Sequence, residues 1–221
     1  MAIRIQLESV TETVKQRLRQ MILEGDLEPG SKILQDQIAE ELGVSKTPIL
    51  KALHVLETEN LVESIPRRGF FVREFTIAEI ADVFAVREVV EGVAAEEAAS
   101  FMGDEDIQRL AMMFAPFHPP LNEEETKAYR AADQDFHNLI VSACRNEFVQ
   151  QINSMVNVLP ISYRPGLLRS PAETLPEHQE MVRAIRERDP VRARKVAMDH
   201  LYRTRVWLHS QLEIEEKIPN R

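Results

Sequence analysis

Two short amphipathic segments, 35–42 and 46–59, are separated by only three residues, Gly43-Val44-Ser45. That spacing leaves few folds open. The first segment places Ile38, Ala39 and Leu42 on one face, and the second aligns Ile49, Ala52, Leu53 and Leu56. Joined by so short a turn, two helices must cross steeply, which is helix-turn-helix geometry. Ala39 is small where the helices would cross, Gly43 suits the turn, and Ile49 would anchor the second helix on the first. Ser45 suits the N-cap of that helix, and Pro48 falls in its first turn, where a missing N–H costs little. Upstream, Ser9 to Glu24 repeats Val10, Val14, Leu18, Met21 and Ile22 at helical spacing before Gly25-Asp26-Leu27-Glu28-Pro29-Gly30 breaks the pattern. Downstream, the β-type runs Leu61–Ile65 and Phe70–Val72 flank Pro66-Arg67-Arg68-Gly69, a predicted hairpin tip.

From Thr76 onward the periodicity is helical throughout. It predicts helices over 76–101, 104–115, 123–143, 147–163, 174–188 and 190–215, with Thr76 and Asp104 as N-caps. The composition agrees, with 7 Gly and 6% aromatic residues in 221. The expected fold is mainly α: a winged helix-turn-helix over 1–74, then an all-helical bundle of about six helices over 75–221. Cys144 is the single cysteine, so an internal disulfide and a Cys-rich zinc module are excluded. It is expected to pack in the core, as are Trp207 and the cluster Met112-Met113-Phe114. No apolar run approaches the roughly 18 residues that span a bilayer, and the first residues lack a leader's apolar stretch. A cytoplasmic location with no membrane partner is the expectation.

The net charge of −9 does not rule out a nucleic-acid partner, because most of the excess acid lies beyond Glu74 and docking depends on the local field. A recognition helix presents its N-terminal side chains to the major groove. Here these are Lys46 and Thr47 after Ser45, then Leu50 and Lys51. Arg67 and Arg68 would make a basic wing, with Gly69 allowing close backbone approach. A helical hairpin with a solvated charged face is the alternative. In the C-terminal region Asp133 and His137 stand four apart, on one face of a helix. Asp-x3-His is half a site for a divalent metal; a solvated Asp beside a core His would look the same. His178 and His200 fall on two later helices, and a bundle can converge such side chains. Three imidazoles and one carboxylate suit zinc or nickel better than calcium or magnesium.

The stretches "GDLEPGSKI", "IAEELGVSKTPILKALHVLETENLVE" and "PRRGFFV" resemble the winged helix-turn-helix of GntR-type bacterial transcription regulators. Members commonly carry Arg where this chain has Lys46, Arg-Glu where it has Leu50-Lys51, and in some cases Arg where Asp36 stands. "DVFAVREVVEG", "RAADQDFHNLI" and "PEHQEMVRAIRERDPVRARKVAMDHL" resemble the FCD effector domain of the FadR-like subfamily, in its VanR-type branch. The resemblance implies a metal held by Asp133, His137, His178 and His200. It also implies that Arg87 and Arg130 bind the carboxylate of a small effector; ordinary surface pairs with Glu91 and Asp133 are the plainer reading of those arginines. A homodimer on an inverted-repeat operator is expected, since one small winged helix makes few base contacts.

Two function classes follow. One is a ligand-responsive regulator, with a purely structural metal as a variant. The other is a metal-dependent enzyme, which would have no need of a basic wing beside a recognition helix; no enzymatic activity is expected.

Overall fold

A computed structural model describes residues 2–156 and 168–217. They divide into two compact units, the first ending at Phe75 and the second beginning at Thr76. Among the described residues, no helix is long and apolar enough to cross a membrane.

In the first unit, helix α1 spans Ala2–Glu24 and packs on α3. It begins earlier than its apolar repeat predicts. Val14, Leu18, Met21 and Ile22 are buried, whereas Val10 is exposed. Helix α2 (Gln35–Leu42) ends at Gly43, whose φ of 64° and ψ of 33° are left-handed, and the Gly43 N–H closes back on the last turn. A side chain resists that conformation and glycine does not. Helix α3 (Lys46–Thr58) buries Pro48, Ile49, Ala52, Leu53 and Leu56. Ser45 is its N-cap in extended conformation, but its side chain makes no capping bond. Strands β1 (Val62–Ile65) and β2 (Gly69–Val72) pair antiparallel in the register Val62↔Val72 to Ile65↔Gly69. Lys32 bridges to Phe71, tying the segment before α2 to the wing.

The second unit contains six helices among the described residues: α4 (Ile77–Phe101), α5 (Asp104–Met113), α6 (Glu123–Ser142), α7 (Glu147–Val156), α8 (Pro171–Arg186) and α9 (Pro190–Lys217). Thr76 caps α4 in a reciprocal box with Glu79, and Asn122 does the same for α6 with Glu125. The two longest helices, α4 and α9, share the most extensive packing. Small residues allow this close approach. Ala94, Ala95, Ala98 and Ala99 are fully buried along α4, and a Cβ at Gly92 would lie 2.7 Å from Met198 Cγ on α9.

Several local expectations need correction. Gly103, not Asp104, is the N-cap of α5; Asp104, Glu105 and Asp106 fill its first turn, where acids complement the helix dipole. Helix α8 starts at Pro171 rather than at 174, because proline at the first helical position costs no bond. Trp207 is only half-buried, and Met112 points to solvent while Phe114 is buried. Residues 157–163 of the fourth bundle helix expected from the sequence lie outside the described residues.

Candidate nucleic-acid interface and metal centre

Ser45, Lys46, Thr47 and Lys51 are exposed at the start of α3, and Arg67 and Arg68 are exposed at the tip of the wing, with Gly69 half-buried behind them. The tip is a turn closed by the Arg68 N–H donating to the Ile65 carbonyl at 3.0 Å. Arg67 sits at φ 64° and Gly69 at φ 98°, so an arginine holds a left-handed position that glycine adopts more easily. The Arg68 guanidinium lies 5.1 Å from the centre of the Phe71 ring of β2. Lys46 is ion-paired with Asp36, from the first turn of α2.

In the second unit, His137 of α6, His178 of α8 and His200 of α9 are all buried, and the nitrogens they offer lie within 4.8 Å of one another. Asp133, one turn before His137, brings Oδ1 to 3.3 Å from His178 Nε2. The bundle thus gathers the four residues singled out in the sequence. Each ring is held by its other nitrogen. His137 Nδ1 meets Glu91 Oε2 at 2.5 Å, His200 Nδ1 meets Glu177 Oε2 at 2.7 Å, and His178 Nδ1 meets the Tyr129 hydroxyl at 3.1 Å. Tyr129 is fixed in turn by Thr174 Oγ1 at 2.7 Å. With Nδ1 engaged in every ring, Nε2 is the nitrogen each has left for a cation, a supporting shell common around metals.

The carboxylates are themselves anchored. Arg87 Nε donates to Glu91 Oε1 at 2.6 Å. Arg169 grips Glu177 with two bonds of 2.9 Å, and Arg203 adds one of 2.6 Å. Burial alone would raise the pKa of both glutamates, but the adjoining cations and hydrogen bonds hold them well below the ordinary carboxylate range. Burial, with neighbouring cations, pushes His178 well below its usual value. His200 is also lowered, chiefly by burial. Burial likewise disfavours a charged His137, but Glu91 outweighs it and the net shift is upward.

These residues fit a divalent metal. His178 Nε2 is buried and makes no hydrogen bond among the described residues, although Asp133 Oδ1 lies 3.3 Å away, and a buried polar atom left unbonded is costly. The same nitrogen lies beside two more imidazoles and the Asp133 carboxylate. Nitrogen-rich donors of this kind suit zinc or nickel.

The remaining candidates divide. Arg87 is buried in its pair with Glu91 and lies 4.8 Å from the centre of the Phe84 ring, so it is neither a surface pair nor a free cation. Arg130 is half-buried on α6 and makes no ion pair among the described residues. Sequence reasoning missed Glu91, Tyr129, Glu177 and Arg169. The one signal available was the four-residue spacing of Arg87 and Glu91. It also missed Phe114 as a site residue, whose ring stacks on His178 at 4.6 Å between centroids.

A winged helix-turn-helix joined to a separate helical bundle defines a DNA-binding transcription regulator with a second domain. Residues 10–72 match the bacterial regulatory proteins of the gntR family, and residues 82–203 match the FCD domain. The chain belongs to the GntR regulators that carry an FCD domain. It is 26% identical over 191 residues to the HTH-type transcriptional regulator YdhC of Bacillus subtilis (strain 168), covering 83% of this chain and 84% of that one. It is 24% identical over 195 residues to the HTH-type transcriptional repressor GlaR of Escherichia coli (strain K12), with 83% and 89% covered. Its fold is that of a GntR regulator from Rhodococcus sp. RHA1, with a TM-score of 0.75 at 20% identity over 91% of this chain and 98% of the other. These relatives are regulators, not enzymes.

Proposed function

We propose that this regulator binds an inverted-repeat operator as a homodimer, and that a small carboxylate acting at a metal centre in the FCD domain changes its affinity for DNA. The observation that carries the sensing half is the set of three buried imidazoles, each tied by Nδ1, with Asp133 Oδ1 3.3 Å from His178 Nε2. Asp133, His137, His178 and His200 hold the metal, zinc or nickel. When bound, it supplies a Lewis-acidic centre toward an anionic oxygen. Arg130 offers the effector a guanidinium, while Arg87 serves the centre through Glu91. On the DNA side, Lys46, Thr47 and Lys51 face the major groove, Arg67 and Arg68 neutralise phosphates, and Ser45 and Gly69 let the backbone come close.

The same four donors would also close a tetrahedral zinc site of purely structural role. Operator affinity, followed by fluorescence anisotropy with metal present and a panel of small carboxylic acids added, separates the two. At least one acid should shift the affinity by about tenfold, and His137→Ala should abolish that response. An acid-blind protein with its metal in place would leave only the structural role.

A further inference from the structure

The ion pair between Lys46 and Asp36 adds little to holding the fold. Both side chains stand in solvent, 60% and 77% exposed, and exposed pairs contribute little to stability. Its position is what matters. Lys46 is the first residue of α3 and Asp36 the second of α2, so the pair couples the leading ends of both helices of the motif. The first turn of α3 is where this architecture meets base edges.

We infer that Asp36 is a specificity-determining residue that selects cytosine at one position of each half-site, with Lys46 reading the guanine paired to it. This rests on the reading that α3 enters the major groove. A carboxylate placed there cannot settle against a phosphate, because both are anionic. Of the groups lining the major groove, only the exocyclic amines of cytosine and adenine offer it a donor. The companion ammonium decides between them. Across a C·G pair the cytosine amine lies beside guanine O6 and N7, two acceptors for Lys46, whereas across A·T the thymine presents O4 alone beside its methyl group. A carboxylate and an ammonium already held together thus match the donor–acceptor order of one base pair. At any position that presents only acceptors to Asp36, the same carboxylate is repelled.

The test is selection from a randomised duplex library by the full-length chain, the parent alongside Asp36→Ala, Asp36→Asn, Lys46→Ala and Lys51→Ala. The parent should enrich a motif with one cytosine per half-site that Asp36→Ala relaxes by about tenfold, with every other position kept. Asp36→Asn should move that preference to adenine, since an amide both donates and accepts. If Asp36→Ala melts early, Asp36→Asn, which keeps the shape of the side chain, decides. An unchanged motif in both Asp36 variants, while the lysine variants alter theirs, overturns the inference and leaves the α3 reading intact. If the lysine variants also select the parent's motif with the parent's affinity, or if the parent enriches nothing, the α3 reading fails and the inference with it.

Discussion

Arg67 shows what the DNA-binding role demands of a single residue. At φ 64° it holds a conformation that costs an L-residue about 1–2 kcal/mol. Arg67→Gly should therefore stabilise the folded chain, by about 0.5–1 kcal/mol once the glycine's extra unfolded-state freedom is set against it. The same change removes a cation from the wing, so DNA affinity should fall and the slope of its logarithm against that of salt should shrink by about one phosphate contact. A melting midpoint that drops, or an unaltered salt slope, would contradict this. Cys144 illustrates the opposite case, a reactive group kept silent. Burial, reinforced by the Glu97 carboxylate 3.3 Å away, raises its thiol pKa. A raised pKa means less thiolate at a given pH, so alkylation by iodoacetamide at pH 8 should run at least about tenfold slower in the native chain than in denaturant. Equal rates would refute the burial argument.

Among the elements, the α4–α9 pairing governs the bundle. Gly92→Val places a branched side chain where even a Cβ comes within 2.7 Å of Met198 Cγ. It should cost about 1–3 kcal/mol, measured by denaturant unfolding, and an unchanged midpoint would show that the helices have room. Much of this level was readable from periodicity and caps. Thr76 with Glu79 three residues later announces α4, and the Gly43-Val44-Ser45 turn announces the helix-turn-helix. Boundaries failed where local signals mislead: the acids of 104–106 resemble caps but stabilise a first turn, and α8 starts at Pro171, three residues ahead of the predicted 174. The site was half readable for a related reason. Asp133 and His137 share a helical face and so show up in spacing. Glu91 meets His137 from 46 residues away, and Glu177 meets His200 from 23 away; those partners are chosen by how helices pack, which local periodicity does not encode.

For the molecule as a whole, chemistry is divided between two units. One carries exposed cations on a helix start and a hairpin tip; the other buries three imidazoles among anchored carboxylates. The net charge of −9 belongs mainly to the second, which is why a DNA-binding protein can be acidic overall. Three buried imidazoles whose nitrogens lie within 4.8 Å of one another, with Asp133 Oδ1 3.3 Å from His178 Nε2, are the arrangement that the proposed metal site requires. The direct measurement is elemental analysis by plasma mass spectrometry of the full-length chain, purified without chelator and then offered Zn²⁺ or Ni²⁺, beside His178→Ala. A metal site should give about one zinc or nickel per parent chain, and well under one in the variant, since losing a ligand cuts affinity steeply. A parent chain that carries well under one metal and takes up none on addition would contradict it.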